Sequence, residues 1–497
     1  MGSTEKYLSD LGLTPLRGSD RPVRGLSSDS RSVAKGSLFA ALPGTQVHGG
    51  RFIGQALENG AHTILTDRAG YEMARDVISS FNAAVVVAQD PRAALALTAA
   101  LWFARQPEKV IAVTGTNGKT SVASFCQQIW AELGHSSVNI GTTGVEGAWT
   151  APLAHTTPDP VTLHGILSAA AEAGITHAAM EASSHGLDQR RLEGVRLKAA
   201  GFTNISQDHL DYHDDFEAYF AAKTGLFDRV LPQDCPAVIN SDTQKGLALA
   251  ERLKQRDQQV ITTGRNETAD LRLMGQRFSP RGQDVRYQWH GAPFQAHLPL
   301  IGGFQAENVL LATGLVIASG HDPRDVFETL PHLVTVRGRM DFAAERLNGA
   351  SVFVDYAHTP DAVKTAIEAF RPHVMGRLIA IIGAGGDRDR GKRPQMGALA
   401  AEASDHLIVT DDNPRSEDPA QIRKMVLAGI ENADHVSEVG DRAEAILRAV
   451  DMLGPGDGLL ITGKGHETGQ VIGQDVLPFN DAEQASVAVA ALDGLIS

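Results

Sequence analysis

The segment Gly115-Thr116-Asn117-Gly118-Lys119-Thr120 carries the residue types that hold the phosphates of a nucleotide. Glycines let backbone N–H groups crowd around phosphate oxygens, a lysine meets the β and γ oxygens, and a threonine hydroxyl ligates Mg²⁺. An apolar β-type run at 110–113 and Thr114 lead into the loop, and a helical pattern at 121–133 follows, closed by Gly134 at a C′-like position. Strand, glycine-rich loop and helix is the context that phosphate binding needs. Val113 stands where the generic pattern has its first glycine, so Thr114 to Thr120 are assigned to ATP by context as much as by pattern. ATP binding alone fits a motor, a kinase, a switch or a ligase.

A second group narrows the chemistry. The apolar run at 176–180 ends in Glu181-Ala-Ser-Ser-His-Gly186. A carboxylate at the end of a strand, in the domain that holds a phosphate loop, reaches Mg²⁺; by itself it would as readily be a surface residue in a turn. Further along, Asp208, His209, Asp211 and His213 crowd into six residues. A lone histidine is more often structural than a ligand, but this cluster follows Glu181 in the same domain and reads as metal chemistry.

The elements that position these groups are those of an α/β protein. Apolar runs at 110–113, 176–180, 352–354, 378–382, 406–409 and 458–461 alternate with helical patterns, which predicts mainly parallel sheets. Most end in Gly-, Ser- or Asp-containing turns, where open sheets of this kind place ligands. Breaks near 105–107 and 337–342 divide the 497 residues into segments 1–105, 106–337 and 338–497. Hydrophobic residues at 42% suffice for well-formed cores, and two cysteines, Cys126 and Cys235, are too few for a disulfide framework. Cys126, in the helix after the phosphate loop, is expected to pack rather than react. A net charge of −14 argues against a nucleic-acid partner, and no apolar run is long enough for a membrane span. The start, MGSTEKYLSDLG, lacks the basic and apolar regions of a secretory signal, so a cytoplasmic location is expected.

GTNGKT, MEASSHG, FTNISQDHLDYH, the lysine of AYFAAKTGLF, RGRMD, DYAHTPD, GAGGDRDRGKRP, DDNPR and GKGHE occur in that order. Together they resemble the Mur ligase family, and the match runs through all three segments. The resemblance implies an N-terminal UDP-binding α/β domain, a central P-loop ATPase-type domain with a mainly parallel sheet, and a C-terminal Rossmann-like domain. It implies a ligase that makes an acyl phosphate from a D-glutamyl carboxylate and ATP, then lets an amine displace the phosphate. By similarity Lys119, Glu181, His209 and Lys223 are catalytic, and two Mg²⁺ ions are held by Thr120, Glu181, His209 and Lys223, the last as a CO₂-derived carbamate. Without carbamylation, the residue pattern makes Lys223 an ordinary solvated helix lysine. Asn308, Arg339 and Asp355 would also contact ATP, although Gln305 stands at a position where the family more often has asparagine.

The same resemblance gives the substrates. Ser28, Ser30, Thr45, Gln46, Val47, Thr156, Thr157, Ser183, Gln189 and Arg191 map onto contacts with UDP-MurNAc-L-Ala-D-Glu. Arg388, Asp412, Asn413, Pro414, Arg415, Gly463 and Glu467 map onto a site for meso-diaminopimelate. Diaminopimelate has a carboxylate at its far end that lysine lacks, and Arg415 of DNPR supplies a bidentate cation for it. The alternatives are the L-lysine-adding branch and, more remotely, a folylpolyglutamate-type ligase. A non-ligase phosphoryl-transfer enzyme leaves GKGHE and Lys223 unexplained, and Lys119, Glu181 and His209 argue against a non-enzymatic nucleotide-dependent scaffold. A monomer is expected.

Overall fold

The computed structural model describes residues 5–44, 47–206 and 212–495. Five of the residues singled out above, Thr45, Gln46, Asp208, His209 and Asp211, lie outside them. Two compact units divide the chain: residues 1–272 with 310–326, and residues 273–309 with 327–497.

Besides the short antiparallel pair Lys6–Tyr7 and Pro22–Val23, two larger sheets build the first unit. Leu26–Ser27, Leu38–Ala41, Thr63–Thr66 and Ala84–Val87 pair in that order, all parallel. Phe39, Ala41, Ile64 and Val85 face one core, while Leu38, Ala40, Leu65, Ala84 and Val86 face another. Alternate burial on both faces is the pattern of a covered parallel sheet. The helix Pro91–Phe103, capped by Asp90, then leads to the second sheet. Its strands within this unit run in the order Val260–Gly264, Ala237–Asn240, Leu197–Phe202, Lys109–Thr114, His177–Glu181, Ser137–Gly141 and Gly144–Gly147. The first six are parallel and the last turns back antiparallel. Glu181 pairs with Val113, so the carboxylate and the phosphate loop emerge side by side at the C-terminal edge.

The helix after the phosphate loop spans Lys119–Glu132 and buries Val122, Phe125, Cys126, Ile129 and Trp130. Cys126 packs as expected, and burial pushes its thiol far up from the ordinary value. Gly134, at φ +82°, and the bond from His135 N to Trp130 O close the helix in a Schellman arrangement.

In the second unit, Asp341–Glu345, Ser351–Asp355, Gly458–Thr462, Leu378–Ala384, His406–Asp411 and Val436–Glu438 form one sheet in that order, the first strand antiparallel to its neighbour and the rest parallel. Leu378, Ala380 and Ile382 face one core and Ile379 and Ile381 the other, so helices cover both sides. The hairpin Gly282–Trp289 and Ala292–Leu298 also belongs to this unit. No helix among the described residues is long and apolar enough to cross a membrane.

Candidate functional site

The phosphate loop is held open by its neighbours. Thr116 N donates to Asn204 O at 3.0 Å, Asn117 N to Asn204 Oδ1 at 3.0 Å, and Thr203 Oγ1 to Asn117 O at 2.6 Å. Gly115 sits at φ +147°, and a Cβ there would lie 1.9 Å from Thr203 Oγ1. Only glycine fits, because the strand end at Thr203 crowds the loop. Gly118, at φ +85°, caps the helix in the left-handed region. Lys119 Nζ donates to Gly115 O at 3.0 Å and Thr116 O at 2.8 Å, folded over the loop it serves. Thr120 is the second residue of the helix.

Glu181 is the last residue of its strand and only 1% exposed. Its Oε1 accepts from Thr142 N at 2.8 Å. A Cβ at Gly141 would lie 2.1 Å from Oε1, so the bare glycine backbone makes room for the carboxylate. Among the described residues no basic side chain pairs with it and no hydrogen bond reaches Oε2. Burying a carboxylate without a cation is costly, and a bound divalent ion removes that cost. The donor set therefore fits Mg²⁺.

Lys223 departs from the solvated-lysine alternative. It lies on the helix Phe216–Gly225, is 1% exposed, donates from Nζ to Gly115 O at 2.6 Å and stands 4.4 Å from the Tyr219 ring centroid. Tyr219 in turn shares a 3.1 Å hydrogen bond with Thr116 Oγ1. The helix thus brings Lys223 to the underside of the phosphate loop, a position that a short helical pattern does not reveal.

A cavity of about 320 Å³ lies in the same unit, lined by Ser28, Gly44, Arg92, Asp159, Gln189 and Arg191 among others. Arg191 donates to Thr157 O at 2.5 Å and to Gln189 Oε1 at 2.7 Å. Gln189 reaches Tyr212 OH at 3.1 Å, and that hydroxyl donates to Asp188 at 2.8 Å. Burial pulls the Arg191 guanidinium down from its ordinary value and Asp159 opposes the shift. Thr157 Oγ1 donates to Glu181 O at 2.9 Å and accepts from Ser183 N at 3.0 Å, tying this group to the carboxylate strand. Thr156 shares a 3.1 Å bond with Thr142. Ser30 does not line the cavity; its buried hydroxyl donates to Gln55 at 2.7 Å. Val47 is exposed. Arg92, Asp159, Tyr212 and Thr142 were not singled out from sequence, since each is an ordinary polar residue until the fold assembles it.

The second unit gathers another set at the C-terminal ends of its parallel strands. Arg415 has φ +51°, held there by bonds from its own N to Val471 O at 3.0 Å and from Gly473 N to its O at 2.7 Å. Its Nη1 donates to Gly386 O at 2.7 Å. A Cβ on Gly385 would lie 2.9 Å from Arg415 Nη1 and 3.8 Å from Arg388 Cγ, so both arginines flank this glycine. Asn413 Nδ2 donates to Glu467 at 2.9 Å. Lys464, fully buried, donates to Asn413 Oδ1 at 3.0 Å and to Glu467 at 3.3 Å, and lies 3.9 Å from Asp412. Gly463, at φ +111°, lets Asp412 approach; a Cβ there would be 2.4 Å from its Oδ2. Gly386 makes equally close room for Pro414, whose O accepts from Glu417 N at 3.1 Å. Lys464 was missed, although GKGHE contains it.

In the same unit, Asp355 accepts from Met340 N and Ala357 N, both at 2.8 Å, and Arg339 lies 4.9 Å from the Tyr356 ring centroid. Burial pushes the Asp355 carboxyl up from its ordinary value and Arg339 opposes the shift. Asn308 is buried and donates to Gln305 Oε1 at 3.0 Å.

Family models match most of the chain: "Mur ligase family, catalytic domain" over residues 22–102, "Mur ligase middle domain" over 113–316 and "Mur ligase, glutamate ligase domain" over 338–465. The chain is 46% identical over 495 residues to the UDP-N-acetylmuramoyl-L-alanyl-D-glutamate--2,6-diaminopimelate ligase of Caulobacter vibrioides, covering 98% of this chain and 99% of that one. It is also 46% identical to the ligase of the same name from Zymomonas mobilis, covering 98% and 100%. A solved structure of an enzyme of that name superposes with a TM-score of 0.75 at 32% identity, covering 98% of this chain and 99% of the other. With relatives this similar along nearly its whole length, and with the three-domain α/β fold they share, the chain belongs to the Mur ligase family.

Proposed function

We propose that this chain joins meso-diaminopimelate to the D-glutamyl carboxylate of UDP-MurNAc-L-Ala-D-Glu, cleaving ATP to ADP and phosphate, in assembly of the peptidoglycan precursor. The chain is a ligase of a family that forms amide bonds with ATP and Mg²⁺. The observation that carries the reading is the buried Glu181 carboxylate, free of any cation among the described residues and paired in register with the strand that enters the phosphate loop.

The reaction sets a physical problem that these residues address. A carboxylate oxygen of the D-glutamyl group must attack the γ-phosphorus, forming an acyl phosphate and releasing ADP. Two like unit charges about 4 Å apart repel by about 4 kcal/mol at an effective dielectric of about 20. Mg²⁺, when bound, neutralises that charge. Thr120, Glu181, His209 and Lys223 would hold two ions, with Lys223 as its carbamate. Lys119, Thr114, Gly115, Thr116, Asn117 and Gly118 cradle the phosphates, and Asn308, Arg339 and Asp355 provide further ATP contacts. Next the amine nitrogen of diaminopimelate attacks the acyl carbon, loses a proton, and inorganic phosphate leaves. Segments 1–105, 106–337 and 338–497 would serve the UDP moiety, ATP and the amino acid in turn. The work fits a monomer in the cytoplasm.

Ser28, Gln189 and Arg191 share one cavity, which suits an anionic peptide on a pyrophosphate. Ser30, Thr45, Gln46, Val47, Thr156, Thr157 and Ser183 remain assigned to the same substrate. For the amino acid, Arg388 and Arg415 would take the far-end carboxylate, while Gly463 and Glu467 would receive its ammonium. Asp412, Asn413 and Pro414 shape the loop that carries Arg415.

Arg415→Asn tests the amino-acid assignment, because asparagine tolerates the left-handed backbone at this position. Losing the cation opposite a carboxylate costs about 3 kcal/mol, roughly a hundredfold. The KM for diaminopimelate should rise by about that factor, while any slow reaction with L-lysine stays unchanged. An unaltered diaminopimelate KM would remove Arg415 from the site. A wild-type preference for L-lysine would overturn the amino-acid assignment and leave the ligase reading in place.

A further inference from the structure

Three histidines meet at the edge of the central sheet opposite the phosphate loop. His177 opens the five-residue strand that ends in Glu181, about 13 Å away along the strand. His135 follows the 14-residue phosphate-loop helix, about 21 Å along its axis from Lys119. His321 follows a third segment, just after Gly320 at φ +99°. Ring centroids are separated by 4.3 Å for His135–His177, 5.0 Å for His135–His321 and 5.5 Å for His177–His321. One ring nitrogen from each lies within 4.8 Å of the others.

Hydrogen bonds around the cluster set which nitrogen carries the proton. Thr176 Oγ1 donates to Ser136 O at 3.1 Å, so its oxygen accepts from His177 Nδ1, 2.8 Å away. His321 Nδ1 faces Val316 O, a pure acceptor, at 3.2 Å. Both rings are thereby protonated at Nδ1 and present a bare Nε2 lone pair. His135 Nε2 lies 3.1 Å from His321 Nε2 and donates to it. His177 Nε2 has no partner, although the residue is only 4% exposed. A buried imidazole lone pair with nothing to bind is rare in a packed interior.

We propose that His135, His177 and His321 form a binding site for a borderline divalent transition ion of the zinc class, distinct from the Mg²⁺ chemistry at Glu181. Three imidazoles and a water make a familiar four-coordinate set, and backbone or hydroxyl partners on the remote nitrogens are the usual supports of such ligands. Zn–N bonds of about 2.0–2.1 Å place tetrahedral ligand nitrogens about 3.3–3.4 Å apart. The His135–His321 pair, at 3.1 Å, is already near that spacing, and the other edges must close by about 1.5 Å at most. Binding requires only that the His135 proton move from Nε2 to Nδ1, which leaves a neutral imidazole with its Nε2 lone pair free for the ion. Lys109 is the opposing charge: its Nζ lies 3.7 Å from where a Cβ on Gly320 would be. Its ammonium is on a flexible, partly exposed stem that can turn to solvent. The ion would fasten the far ends of the phosphate-loop helix and the Glu181 strand to the segment at 321, stiffening the scaffold rather than entering the reaction.

The test titrates Co²⁺ into the full-length, chelator-stripped protein with excess Mg²⁺ present, reading the visible absorption of tetrahedral cobalt. One equivalent should produce a saturable band that Zn²⁺ abolishes by displacement. His135→Ala and His321→Ala, both at partly exposed positions, should weaken binding by more than about 100-fold, beyond the effect of losing a supporting hydrogen bond. Their Mg²⁺-dependent turnover should match wild type, and Zn²⁺ should raise the wild-type Tm but neither variant's. No saturable tetrahedral band, or a band that persists in both variants, would overturn the proposal.

Discussion

Glu181→Gln is expected to lower turnover by about 10³-fold or more while leaving the fold intact, a loss on the scale of removing a key charge-stabilising group. Glutamine keeps an oxygen for Thr142 N, which now donates to Oε1 at 2.8 Å, and matches the volume beside Gly141. What it lacks is the negative charge. In the wild type that charge is buried beside the phosphate loop with no cation among the described residues. The variant should therefore melt at or above the wild-type temperature, since an uncompensated buried carboxylate is unfavourable in the metal-free protein. Its Mg²⁺ requirement should shift to much higher concentration. Steady-state phosphate release against Mg²⁺, alongside Tm, checks both arms. A variant with near-normal turnover would show that Glu181 holds no essential ion.

The second large effect concerns Lys223. Lys223→Ala should lose at least about 10²-fold in turnover, and short-chain carboxylic acids should restore part of it. The side chain is fully buried beneath the loop, with Nζ 2.6 Å from Gly115 O. An ammonium there would add a positive charge next to bound Mg²⁺, whereas a carbamate would add a negative one. Alanine leaves space into which acetate or formate fits and supplies the missing carboxylate. Nucleotide binding serves as the control for folding, because a merely structural lysine would lose affinity and gain nothing from added acid. Full activity without rescue would remove Lys223 from the chemistry.

How much of this was legible in sequence depends on how local each feature is. The phosphate loop was readable because strand, glycines, Lys119 and helix are contiguous, and the observed helix begins at Lys119, two residues before the pattern at 121. Glu181 was readable because an apolar run delivered it to a strand end; the register with Val113 then put it beside the loop. Lys223 was not readable from its own helix. Its burial comes from Tyr219 and Gly115, the latter more than a hundred residues earlier. Arg415 was identified by its tetrapeptide, yet its left-handed backbone depends on Val471 and Gly473 on a hairpin later in the chain. Lys464 sat inside a quoted motif and went unnoticed, because nothing local shows that Asn413 and Glu467 close around it. The three histidines are the extreme case, drawn from three separate elements and meaningful only once those elements pack.

The most direct test of the account measures ADP formation by the purified chain with Mg²⁺, omitting each reactant in turn. Sustained ADP release is predicted only when UDP-MurNAc-L-Ala-D-Glu and meso-diaminopimelate are both present, with one amide bond formed per ATP cleaved. Steady ATP cleavage indifferent to both, or none with everything supplied, would contradict it.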